Sequence, residues 1–437
     1  MSHLKRSLAV LASTAILATA GCASGGSSDK TEESAGPATS KSTISIMYAF
    51  SGSQETGFKA DMDAWAAKNG VKIEYQPSNA FETQIQANTK AGKTPDIAIF
   101  PQPGILKAMA GKGNLAKLDS YVDSEALKKN VANGFLDVAT VDGTVYGAPY
   151  SMNVKSLYWY NKPVWAAKGW TAPKTQDELM ALIGKIKATG KAPICYGMGS
   201  GSATGWPATD WIEDYVLQAN GPEVYDKWVK GEVKFDSPEV KKAVDIYNQI
   251  VMADGNVLGT AKNSASVQFG SAFNPMFAAD PQCFLGKQGN FITSFLPAAT
   301  QKDLDNQVGI FQTPSVNGTT PVEGGGDLVA AFTKNDSNVK KVMNALTNDP
   351  TFGVASAKTG AFMSPQKSFD VKNYPTKLLG DAAKIAFDAS VFRFDGSDAM
   401  PPVVGSGTFW TEFVSYTSGQ KDQAAALKAI DSSWPAS

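Results

Sequence analysis

The stretch TISIMYAFSGSQETGFKADMDAWAAKNGVKIEYQPSNAFETQIQANTKAGKTPDIAIF, residues 43–100, switches between strand and helix periods and decides the fold class. Thr43 to Phe50 reads as a strand. Phe58, Met62, Trp65 and Ala66 then fall at i, i+4, i+7 and i+8, one face of a helix that Asn69-Gly70 stops. Val71, Ile73 and Tyr75 alternate through VKIEYQ as a second strand. A helix around Phe81 to Lys90 follows, and PDIAIF, residues 95–100, is a short apolar strand. This βαβαβ order implies a doubly wound sheet, whose ligands collect beyond the carboxyl ends of its strands. FSGSQE (50–55), PSNAF (77–81) and PQPG (101–104) occupy those places, and all three are poor in charge.

Toward the N-terminus, Lys5 and Arg6 precede an apolar run from Leu8 to Ala18, too short for a membrane span. Ala20-Gly21-Cys22 resembles a lipobox, although Thr19 stands where Leu is usual. An ordinary signal peptide beside a chance cysteine is the alternative. Residues 1–21 are therefore expected to be a lipoprotein signal peptide, and 22–42 a tether anchored through lipid on Cys22. The tether, rich in Ser, Gly and Thr, is too poor in apolar groups to order itself. The fold begins near Thr43, and its length suggests two domains.

Charge and composition exclude several functions. The chain has 40 Lys+Arg against 41 Asp+Glu, and removal of the leader makes the balance more acidic, so nothing favours nucleic acid. The single histidine, His3, lies in the leader, which leaves no imidazole for a Ser-His triad, a Cys-His dyad or a His-bound metal. No cofactor or metal is expected. Beyond Cys22 only Cys195 and Cys283 remain, and in an oxidising exterior two leftover cysteines are expected to bridge.

Further along, VYGAPYSMNVKSLYWYNK (145–162) reads as extended and aromatic. Thr175-Gln-Asp-Glu178 is a capping box opening a helix. APICYGMG (192–199) reads as a strand, followed by helices at Pro207 to Ala219 and Ser237 to Met252, a strand at QVGIFQTP (307–314), a Gly324–Gly326 run before DLVAAFTKND, and a helix across Val339 to Thr347.

The order of these features, with TPDIAIF, DGTVYGAPYSMNVKSLYWYNK, GGGDLVAAFTKND and TGAFMSPQKS, resembles the family 1 extracellular solute-binding proteins of bacterial ABC importers. GWPATDWIEDYV and FRFDGSDAMPPVVGSGTFW look most like its α-glucoside and disaccharide binders. The resemblance implies two hinged α/β lobes, each a mostly parallel sheet flanked by helices, closing on a sugar. Residues 43–150 plus about 320–365 would form lobe one, and about 156–313 plus 367–437 lobe two, with Tyr150 to Lys155 as a hinge strand. Both cysteines would then lie in lobe two. The implied partners are a carbohydrate and the transmembrane permease, and the implied state is a monomer on the outer face of the cell membrane.

Candidate site residues follow from sugar chemistry. Pyranose C–H faces ask for flat apolar surfaces, and hydroxyls ask for planar polar groups. Trp206, Asp210 and Trp211 offer both. A phosphate loop is disfavoured because no lysine follows Gly199, Gly201 and Gly205, and Trp206-Pro207 opens the helix. Arg393, the single arginine outside the leader, sits in FRFDGSD beside Asp395, where its fork could grip vicinal hydroxyls or form a structural ion pair. Position in the family adds Ser51, Gln54, Glu55, Asn79, Gln102, Tyr150, Asn153, Asp327 and Met363, with Gly325 for backbone freedom. Phe273, Asn274 and Trp410 would add an aromatic wall.

Competing readings are a glycosidase using Asp210 with Glu213 or Asp395 with Asp398, and a binder of peptides or polyamines. Each carboxyl pair is close in sequence and would tend to lie on one side of a cleft, whereas a glycosidase flanks its bond from both. Peptide binders of this type are usually longer, and polyamines ask for more acidic clustering.

Overall fold

A computed structural model of the chain describes residues 39–435. The expected signal peptide, Cys22 and the tether up to residue 38 lie outside the described residues. In chain order the strands are β1 (Thr43–Tyr48), β2 (Lys72–Pro77), β3 (Ile97–Phe100), β4 (Thr140–Val141), β5 (Thr144–Val145), β6 (Ala148–Pro149), β7 (Asn153–Val154), β8 (Leu157–Asn161), β9 (Gly286–Lys287), β10 (Val308–Gln312), β11 (Val322–Gly325), β12 (Leu328–Ala331) and β13 (Phe392–Phe394).

The βαβαβ unit forms as its periods predict. β1 is parallel to both β2 and β3, and the five-stranded sheet runs β2-β1-β3-β12-β6, in which β12 is antiparallel to both its neighbours, β3 and β6. The helix Gly52–Asn69 returns the chain from β1 to β2 and buries Phe58, Met62 and Ala66. Ile44, Ile46, Ile97, Ile99 and Val329 meet Phe58 and Met62 in one apolar core. Burial on both sides explains why β3 is apolar at every position.

A second core gathers Leu179, Ile183, Trp211, Tyr215, Tyr247 and Phe413. Its helices include Gln176–Lys187, opened by the reciprocal Thr175/Glu178 capping box, Trp206–Asn220, and Pro238–Tyr247, which a π-helical turn continues over Asn248–Met252. Its sheet, β10-β8-β9, is antiparallel throughout, where a mostly parallel one was expected. Parallel neighbours need a crossover that carries the chain back to the same end. Here β10 and β9 each return against β8 from far along the chain. Nor is 192–199 a strand: Ile194 makes single bridges to Val257 and Leu285, and Gly199 one to Gln268, because the neighbouring segments are irregular. Cys195 and Cys283, 88 positions apart in sequence, are bridged.

A third, three-stranded sheet, β13-β11-β7, sits where the chain passes between the halves. β7 lies between β6 of the first sheet and β8 of the second, and β11 lies between β10 and β12. The fold is thus a two-lobe α/β architecture with connecting strands.

Candidate functional site

The first set of polar groups lies at the edge the parallel strands point to. Ser51 and Asn79 are exposed beyond β1 and β2, and Gln102, half-buried, opens the helix Pro103–Gly111 after β3. In the first turn of Gly52–Asn69, the Gln54 amide donates to Asp327 Oδ2 at 3.3 Å. Ser151 Oγ donates to the same oxygen at 2.6 Å and accepts from the Asp327 amide at 2.9 Å. Burial raises the Asp327 carboxyl above the usual aspartate range, and these two donors offset part of that.

The loop that holds Asp327 depends on Gly326, not on Gly325 as expected. Gly326 has φ 144°, and a Cβ there would lie 2.1 Å from the Ser151 carbonyl oxygen. Gly325 instead pairs with Asn153 across β11 and β7. Tyr150 and Met363 are buried beside them. The Tyr150 ring stacks 5.9 Å from Phe50, and the Met363 carbonyl accepts from the Met152 amide at 2.9 Å. Glu55 accepts from Tyr48 Oη at 3.0 Å and pairs with Lys59 at 2.7 Å, which holds its carboxyl below the usual glutamate range.

The second set is organised by the helix Trp206–Asn220. Its start requires Gly205, which has φ 121° and would place a Cβ 2.6 Å from the Trp410 carbonyl oxygen. Residues four apart share a helix face, so Asp210 follows Trp206 one turn on. The half-buried Trp206 ring meets Phe269 at 4.9 Å and Phe291 at 5.8 Å, with Lys155 Nζ 5.4 Å from its centre. Lys155 also bonds Asp210 Oδ1 at 3.0 Å and Asp395 Oδ2. Trp410 Nε1 donates to Ser397 Oγ at 3.3 Å, and Ser397 Oγ donates to Asp395 Oδ1 at 2.9 Å. Trp206, Asp210, Asp395 and Trp410 are therefore brought together. The residue that joins them, Lys155, is one that sequence reasoning missed.

Three expected ligand contacts are corrected by their surroundings. Trp211 is five residues after Trp206, about 140° around the helix, so it faces the other way. It is 1% exposed, packed against Tyr158 at 5.7 Å, Tyr196 at 6.1 Å and Tyr215 at 6.3 Å, and serves as core. Arg393 forks onto Asp226, Nε to Oδ1 at 2.6 Å and Nη2 to Oδ2 at 2.9 Å, so the structural ion pair is what forms. Phe273 is buried, and a Cβ on Gly286 would lie 2.2 Å from its ring, so it packs against β9. Its neighbour Asn274 is exposed.

The carboxylates considered for glycoside hydrolysis also lie elsewhere than that chemistry needs. Asp210, Glu213 and Asp395 converge in one buried cluster with Glu323, oxygens within 4.8 Å of one another, and do not flank an accessible bond from two sides.

These two lobes, with neutral polar groups on one and an aromatic face on the other, are those of a solute receptor. Residues 51–351 match the family described as bacterial extracellular solute-binding protein, and the chain belongs to that family. It is 37% identical to the osmoprotective compounds-binding protein GgtB of Synechocystis sp. over 395 residues, covering 90% of this chain and 92% of that one. It is 36% identical to the alpha-glucosides-binding periplasmic protein AglE of Rhizobium meliloti over 403 residues, 90% and 87% of the two chains. The solved structure of the solute receptor AcbH, described as having an exclusive preference for β-D-galactopyranose, shares the fold with a TM-score of 0.76 at 18% identity, covering 90% of this chain and 97% of that one. The family is one of binding proteins, not enzymes. No helix among the described residues is long and apolar enough to cross a membrane.

Proposed function

We propose that the protein is the extracellular receptor of an ABC importer for an α-glucoside or disaccharide. Trp206 carries this reading: a half-buried indole beside the hinge strand, with Phe269 and Phe291 at its edges, suits a pyranose face. Gln54, Asn79, Gln102 and Asp327 supply hydroxyl partners from lobe one and Asn153 from the hinge strand, with Ser51 on the rim. The full-length relative that binds alpha-glucosides supports the substrate class. A polyamine would need accessible carboxylates, and Glu213, Glu323 and Asp395 are at most 2% exposed.

The same proposal assigns lobe one to 43–150 plus about 320–365 and lobe two to about 156–313 plus 367–437. It anchors a monomer to the outer face of the membrane through lipid on Cys22, and hands solute to a transmembrane permease. Titration calorimetry with trehalose, maltose, sucrose, melibiose, palatinose and glucose tests the central point. A disaccharide should bind with a stoichiometry of one per chain. Absence of binding to every sugar would overturn the assignment, and release of monosaccharide would make the protein an enzyme.

A further inference from the structure

All three connecting strands send a charged residue to one buried place. Lys155 follows β7, Glu323 lies in β11, and Asp395 follows β13. The helix Trp206–Asn220 meets them with Asp210, Glu213 and Asp214, and Lys287 joins from β9. Asp398, on the short helix after β13, and Tyr225, which donates to the Phe394 carbonyl at 2.9 Å, complete the surrounding titratable groups. Six carboxyl groups thus share two ammonium groups.

Following the hydrogen bonds shows which carboxylates are neutralised. Asp214 accepts from Ser156 Oγ at 2.7 Å and Thr313 Oγ1 at 2.6 Å, and pairs with Lys287 at 3.1 Å. Lys155 serves Asp210 and Asp395. Asp395 accepts besides from Ser397 Oγ and from the Asp398 amide at 2.9 Å. Among the described residues no cation remains for Glu213, Glu323 or Asp398; Asp398 is only half-buried, whereas Glu213 and Glu323 are 0% exposed. Glu213 Oε2 accepts from the Gly396 and Ser397 amides at 2.6 and 3.1 Å, whereas Oε1 meets no donor. Both oxygens of Glu323 lack donors as well.

An ionised, unpaired carboxylate in such a place is strongly disfavoured. A proton on Glu213 Oε1 removes the charge and lets that oxygen donate to Asp395. A metal ion is the other way to neutralise excess carboxylates, but the Lys155 ammonium already bonds two members of the four-carboxylate group.

We propose that Glu213 and Glu323 are held as neutral carboxylic acids at the root of the hinge, making stability and solute affinity fall as pH rises. Burial first, then the neighbouring carboxylates, moves both groups well above the usual glutamate range. The unfolded chain loses these protons at ordinary carboxyl values, while the folded chain keeps them to higher pH. Across that window the folded state holds more protons, and stability declines with rising pH. Closure that packs the three connecting strands more tightly around these groups favours their protonated forms, so affinity falls together with stability as pH rises.

The test uses the full chain without solute. Melting temperature is followed from about pH 5 to about pH 8.5 for wild type, Glu213→Gln, Glu323→Gln and the double variant. Gln copies the neutral acid, so the double variant should melt at or above wild type at the alkaline end and show a flattened profile. Gln variants that melt lower at every pH, or that leave the slope unchanged, would overturn the proposal. So would a rise in wild-type melting temperature on adding calcium or magnesium that the Gln variants lack, since the oxygens would then hold a cation. A second arm rests on the sugar reading: affinity for a bound disaccharide should weaken several-fold across that range in wild type and not in the double variant. An affinity that stays flat in wild type overturns the link to closure. If no sugar binds, the sugar reading fails and the melting arm still decides the proton assignment.

Discussion

The two lobes present polar groups in opposite ways. On lobe one, Ser51, Gln54, Asn79 and Gln102 are neutral, at least partly exposed, and set on chain segments just beyond strand ends. Around the helix Trp206–Asn220, Asp210, Glu213 and Asp395 are charged or chargeable, buried, and committed to one another and to Lys155. Neutral amides and hydroxyls can exchange water for a sugar hydroxyl at little cost, whereas a buried ion cannot be left without its partner. The exposed set is suited to recognition, and the buried set to holding Trp206 and the connecting strands in place. Substitutions should therefore separate the two: damage to the buried set appears in the melting curve first, and damage to the exposed set in the binding isotherm.

Lys155→Met presses hardest on this distinction. It leaves Asp210 and Asp395 without their shared ammonium, and loss of one partner of a buried pair costs about 3–5 kcal/mol. A large fall in melting temperature is expected, readable by thermal or chemical denaturation. A variant that melts like wild type would show that the cluster is dispensable. Trp206→Ala should reverse the pattern. Loss of a stacking face costs about 1–3 kcal/mol in affinity, roughly fivefold to 150-fold, with a smaller change in melting because the ring is only half-buried. Calorimetry with the disaccharide that binds wild type checks it.

Gln54→Ala should cost about 1 kcal/mol, near fivefold in affinity, since one neutral hydrogen bond is at stake. Its effect should grow with Asn79→Ala in the double variant if both face the same solute. Additive losses in affinity with unchanged melting would place both residues on the recognition rim. A loss confined to stability would make Gln54 only a support for Asp327.

Legibility in the sequence follows the same division. The β1 to β3 unit was readable because its apolar periods arise from local burial, and the disulfide was readable because the leader implied an oxidising exterior. Antiparallel pairing of β8 with β9 and β10 was not readable, because partners far apart in sequence leave no local period. Nearness in sequence groups Trp211 with Trp206 and Asp210, but at about 100° per residue their shared helix turns Trp211 about 140° away from Trp206. Lys155 and Glu323 were legible signals that went unused. Each is a charge among buried neighbours, Lys155 between Val154 and Ser156 and Glu323 between Val322 and Gly324, and such a charge in a buried segment demands partners.

Arg393 gives the smallest expected effect and a direct test of a correction. Its side chain is 16% exposed and paired with that of Asp226, which is 42% exposed, so the ion pair is partly solvated and worth about 1 kcal/mol or less. Arg393→Ala should lower the melting temperature slightly and leave sugar affinity unchanged within error. Asp226→Asn should do the same, and the double variant should lose little more than either single one, because both remove one interaction. A large loss of affinity in Arg393→Ala with none in Asp226→Asn would mean that the arginine leaves its aspartate for the solute when the lobes close. The boundary between supporting and recognising residues would then pass through β13 instead of ending at Asp395.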